Sequence, residues 1–186
     1  MARLSLSDDD KKVRDWFIET TESLSCKTTV DSIGNIFAVR PGRQQGPPIL
    51  VGSHLDMQPT SGRYDGILGI LTGIEMLKVL QEHNVEEGAC FPISMMASGV
   101  GGDATVKSEL ERIGYLGETP ASYKVIPIAA HFKLYIKQGL ILEGAQKKIG
   151  VVQGVQANKW FTLTIKGRAY HPLLPFRHET QRSCVN

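Results

Sequence analysis

The feature that most restricts the fold is a short apolar run without alternation, Ile49-Leu50-Val51-Gly52-Ser53, which ends on His54-Leu55-Asp56. A strand buried on both faces reads this way, and such strands belong to sheets covered by helices. A polar loop follows, Gly62-Arg63-Tyr64-Asp65-Gly66, and then a helix whose apolar stripe is Ile67, Ile70, Leu71, Ile74 and Leu77. Gly66, Gly69 and Gly73 let that helix approach its neighbours closely. Strand, loop and helix in this order indicate an α/β domain.

The flanking sequence extends the pattern. Ser7 followed by Asp8, Asp9 and Asp10 is a capping hydroxyl with acids in the first turn, and Val13, Trp16, Phe17 and Thr20 recur at helical spacing, so residues 8–24 are expected to be helical. Residues 28–39 read as two strands around Gly34-Asn35, and 41–48 as a loop. A second apolar strand is expected after the long helix, but 90–100 reads as loop. Residues 104–113 read as a helix stopping at Gly114. In 128–137, Phe132, Leu134 and Ile136 alternate with His131, Lys133, Tyr135 and Lys137, the pattern of a half-buried strand. Two more strands are expected at 149–155 and 160–166, with a β-rich piece beginning near Val155.

Composition limits the function. The 186 residues suit about one domain. A net charge of +2, from 21 basic and 19 acidic residues, gives no electrostatic reason for a nucleic-acid or membrane partner. Cys26, Cys90 and Cys184 lack zinc-ribbon or redox spacing and read as reduced thiols. No apolar run near the start suits a signal peptide, so the default location is the cytoplasm.

Three groups of residues carry chemistry. His54 and Asp56 stand two apart in an extended segment, so their side chains can meet, as a metal-binding histidine meets the carboxylate that orients it. A loop histidine beside a solvated aspartate gives the same letters. Asp65 is either the cap of the following helix or a carboxylate bridging two metal ions. Glu86-Glu87 is either a solvated turn or a metal ligand beside a proton-transfer base.

Order and context carry a resemblance. Val51-Gly52-Ser53-His54-Leu55-Asp56 with Gly62-Arg63-Tyr64-Asp65-Gly66-Ile67-Leu68-Gly69 resembles the first metal-binding signature of the hydantoinase/carbamoylase-type amidohydrolases, which include N-carbamoyl-L-amino-acid hydrolases and allantoate amidohydrolases. Glu86-Glu87-Gly88-Ala89-Cys90-Phe91 is similar to their Asn-Glu-Glu-Gly-Ala-Arg-Phe segment. Met95-Met96-Ala97-Ser98-Gly99, Arg112-Ile113-Gly114-Tyr115, Gln138-Gly139 and Ile149-Gly150-Val151-Val152-Gln153-Gly154 continue the likeness.

The resemblance implies a zinc-exopeptidase-like α/β catalytic domain over residues 1–154, incomplete, with 155–186 as the first strand of an α+β dimerisation lid and an irregular tail. It implies two divalent metal ions, zinc or manganese, with His54 and Glu87 each binding one and Asp65 bridging both. Asp56 would support His54, Glu86 would be the general base, and Gln138 and His171 would hold a small amide or ureido substrate. The implied reaction is hydrolysis of a non-peptide C–N bond in a linear amide or ureido compound, by a homodimer.

The sequence departs from that pattern at named places. Where the family pattern is His-Ile-Glu-Gln-Gly, this chain has Tyr135-Ile136-Lys137-Gln138-Gly139, so a tyrosine stands at a metal-binding position. Lys137 is expected to pair with one of the clustered carboxylates. The strand expected before Glu86 is missing, a segment after Val100 is absent, and family members continue well past the point corresponding to Asn186. A catalytically inactive, truncated remnant is therefore an alternative expectation, and an aminoacylase or metallo-exopeptidase is another.

Overall fold

The structure, a computed structural model, describes residues 3–43, 46–85, 89–93, 104–136, 139–154 and 157. The chain divides into two compact units, Met1–Gln138 and Gly139–Asn186.

Helix α1 (Asp8–Ser23) begins where Ser7 accepts a hydrogen bond from the Asp10 N–H, with three acids in its first turn. This is the expected start. The buried face differs: it is Asp10, Arg14, Phe17 and Thr21, while Trp16 is exposed. A buried ion pair explains the rotation. Arg14 Nε donates to Asp10 Oδ2 at 2.7 Å, with both side chains essentially inaccessible. Arg14 Nη1 also donates to the Gly34 carbonyl at 2.8 Å, tying α1 to the following hairpin.

That hairpin is β1 (Lys27–Val30) against β2 (Ile36–Arg40), antiparallel, as its sequence predicts. Buried Asp31 organises the turn by accepting from the Ile33 and Asn35 amides and from Asn35 Nδ2. Strand β3 (Ile49–Val51) lies inside the sheet, but only Leu50 is fully buried; Ile49 is exposed, so burial on both faces holds for part of the run. Helix α2 (Ile67–Glu82) buries Gly69, Ile70, Gly73, Ile74 and Leu77, whereas Leu71, expected in the stripe, faces solvent.

The clearest correction concerns β4 (Ala89–Ile93), in a stretch that reads as loop. It pairs antiparallel with β2 and parallel with β3. Pro92, paired opposite Phe37, disguises it, because proline is uncommon in interior strands. The second strand expected after α2 thus exists, but it follows the acidic pair instead of preceding it. Helix α3 (Val106–Ile113) starts on a capping box at Thr105 and stops at Gly114 as expected.

Strand β5 (Ala130–Phe132) completes a mixed sheet of order β1-β2-β4-β3-β5. It is shorter than the expected strand and fully exposed, because it occupies the sheet's edge. One core joins the sheet to the helices through Phe17, Ile36, Ala38, Ile74, Leu77 and Leu110. Burying one such side chain contributes about 1.5–3 kcal/mol.

In the second unit, α4 (Ile141–Gly144) is a single turn. Residues 149–154 have no regular structure and are exposed, so the strand expected at 149–155 is not formed over its described part. The strand expected at 160–166 lies outside the described residues.

Candidate metal centre

The site begins where β3 ends. The Gly52 N–H donates to the Phe132 carbonyl at 3.3 Å, continuing the ladder with β5. The chain then runs to Met57, which forms an antiparallel bridge with Arg3. The Arg3 guanidinium donates twice to the Leu55 carbonyl, at 2.8 and 2.5 Å, and Leu55 itself enters the core. The backbone that carries His54 and Asp56 is therefore fixed from both sides.

Their two-residue spacing brings the side chains together as expected. His54 Nδ1 lies 3.5 Å from Asp56 Oδ1 and 2.9 Å from the Asp56 carbonyl oxygen. A carbonyl only accepts, so Nδ1 carries the proton in this contact. In the neutral ring Nε2 then holds the lone pair. It faces Asp65, whose Oδ1 is 3.8 Å away. The Asp56 carboxylate raises the His54 pKa, helped by the Asp56 carbonyl and the charge of Asp65, against burial, which lowers it.

Asp65 does not cap α2. The capping position is Gly66, and no side chain serves as cap there. Instead a tight turn, closed by the Ile67 N–H donating to the Asp65 carbonyl at 2.8 Å, sets Asp65 facing His54. Close packing of α2 against the site needs Gly69, where a Cβ would lie 2.8 Å from Ser53 Cβ and 2.6 Å from the Leu134 carbonyl.

Two observations bear on whether these residues suit a divalent ion. The 3.8 Å between Nε2 and Asp65 is too long for a hydrogen bond, yet two zinc–ligand bonds of about 2.0–2.1 Å each could span it. Asp56 Oδ1 is buried with no hydrogen-bond partner among the described residues, and His54 Nδ1 stands 3.5 Å from it. One nitrogen and one carboxylate with a carboxylate behind the histidine fit one side of such a site. Among the described residues no group of three or more His, Cys, Asp or Glu side chains forms a complete one.

Of the other expected site residues, Glu86, Glu87, Gln138 and His171, like Lys137, lie outside the described residues. Tyr135, on the continuation of β5, is exposed. The start of β4 is informative. Ala89 is in register with Ile49, at the opposite end of β3 from His54, a separation of about 16 Å at the usual strand rise. Sequence reasoning missed Arg3, which holds the site's backbone from 52 residues away.

Parallel strands beside a helix define an α/β domain, and its histidine and carboxylates stand just past the carboxyl end of β3, the edge at which such sheets usually bind ligands. No family model matches the chain. It is 35% identical over 198 residues to an N-carbamoyl-L-amino-acid amidohydrolase of Rhizobium meliloti, covering 91% of this chain and 47% of that protein. It is 29% identical to one of Geobacillus stearothermophilus, covering 92% of this chain and 49% of that one. A crystal structure of a hydantoinase/carbamoylase family amidase from Burkholderia multivorans superposes with a TM-score of 0.72 at 33% identity, over 78% of this chain and 42% of that one. The chain is a relative of the hydantoinase/carbamoylase-type amidohydrolases, and it spans about half the length of the curated relatives it matches.

Proposed function

We propose that this chain provides part of the metal centre of a hydrolase that cleaves C–N bonds in linear amide or ureido compounds, of the N-carbamoyl amino acid or allantoate type. The observation that carries this reading is the His54 ring, with Nδ1 tied to Asp56 and Nε2 turned toward Asp65. His54 and Asp65 would hold a divalent ion, zinc or manganese, while Asp56 fixes the imidazole's tautomer and orientation. Such an ion polarises a carbonyl and acidifies water at neutral pH. In the same proposal Glu87 holds a second ion bridged by Asp65, Glu86 moves the proton, and Gln138 and His171 bind substrate. Residues 1–154 would form the catalytic part and 155–186 the start of a dimerising lid, in a cytoplasmic homodimer. For location the described helices say only that none is long and apolar enough to cross a membrane.

The test is metal content of the purified chain after dialysis against trace zinc, with hydrolysis of N-carbamoyl amino acids and allantoate assayed alongside. Bound metal with turnover supports the reading; a folded chain that takes up no metal refutes it. A second reading, a catalytically inactive relative, is favoured by the start of β4 at the far end of β3 from His54. Stoichiometric metal without turnover would select it.

A further inference from the structure

Gly66 is the centre of the tight turn that precedes α2, with φ +70 and ψ −53. Residues with a side chain rarely adopt this region. The space around it is as restrictive as the backbone. A Cβ on residue 66 would lie 2.6 Å from both Cε1 and Nδ1 of the His54 ring, and against the His54 carbonyl oxygen. Contacts that short force something to move. The backbone beyond His54 is held by Arg3 at the Leu55 carbonyl and at Met57, whereas the imidazole turns about its side-chain torsions.

The geometry points to Gly66 as a positioning residue for His54. Its missing side chain leaves the Nδ1 edge of the ring free to reach the Asp56 carbonyl, which directs Nε2 to Asp65. Because the turn around Gly66 also presents Asp65, both sides of the 3.8 Å gap depend on this one glycine. The placement of the ring stands on geometry alone; only its consequence for metal affinity rests on the function proposed above.

The experiment introduces Gly66→Ala into the full chain with His54 present and again in a His54→Ala background. Backbone strain is the same in both, but only the first contains the ring. The urea midpoint should fall more with His54 present than without it. A crystal structure of G66A should show the 2.9 Å contact between Nδ1 and the Asp56 carbonyl lost. Zinc affinity, read by competition with a chromogenic chelator, should drop about tenfold or more. Equal midpoint shifts in the two backgrounds, or a ring that keeps its place in G66A, would overturn the assignment. If G66A folds only when His54 is absent, the assignment stands; if it fails to fold in either background, backbone strain and the contact with the His54 carbonyl outweigh the ring, and the assignment falls. A wild-type chain that binds no zinc would end the metal reading, yet the midpoints and the ring position would still decide the role of Gly66.

Discussion

His54 Nε2 and Asp65 Oδ1 face each other across 3.8 Å, although Asp65 stands at the start of a helix where an aspartate would ordinarily cap. A capping aspartate replaced by alanine costs about 1 kcal/mol. Asp65→Ala should therefore cost less than about 0.5 kcal/mol by urea unfolding, as for a surface change away from such features. Asp65→Asn should weaken zinc binding markedly. A full capping penalty together with unchanged zinc affinity would return Asp65 to the ordinary role.

The buried pair Asp10–Arg14 predicts a large asymmetric effect. Arg14→Met leaves the inaccessible Asp10 carboxylate without its cation and the Gly34 carbonyl without its donor. Removing one member of a buried pair costs about 3–5 kcal/mol. Changing both to apolar residues of similar volume should cost clearly less than Arg14→Met alone. Equal costs would show that packing, not charge, holds this joint.

Tyr115 sets an alkaline limit. Its hydroxyl donates to Asp15 at 2.7 Å, and its ring lies 5.4 Å from the Arg14 guanidinium carbon. Burial, with the Asp15 hydrogen bond next, pushes the phenol well above its ordinary range. The folded state therefore keeps a proton that the unfolded chain loses near pH 10. The stability linked to it is whole below about pH 10 and is lost as pH rises further. The urea midpoint should decline above that pH in the wild type and decline less in Tyr115→Phe.

Cys26 should be slow to react. It is buried, and burial pushes its thiol pKa up, only partly opposed by Arg40. Since the thiolate is the reacting form, labelling at pH 8 should be much slower in the native chain than in urea. Peptide mass spectrometry isolates this thiol from the other two; equal rates would mean that the β1 end of the core opens readily.

Local signals were legible where their causes are local. The Ser7 cap, the Gly34 turn, the Gly114 stop of α3, and the meeting of His54 with Asp56 all arise from contacts within a few residues. Alternation misled at β5, because an edge strand carries the same letters as a half-buried one and only its neighbours decide which it is. It failed in the other direction at β4, whose proline and lack of alternation hide a strand made by pairing with residues 40 to 57 positions earlier.

The sequence by itself determined which segments turn, cap and bury, and which residue types stand near one another after β3. Tertiary structure alone decided that Asp65 faces a histidine instead of capping its helix, that Arg3 fastens the backbone beneath that histidine, and that β4 begins at the far end of the sheet from it. Hydrogen-bonding and steric preferences act over a few residues and are written in the chain. Strand order and register come from the burial of many distant groups at once, which no short stretch of sequence encodes.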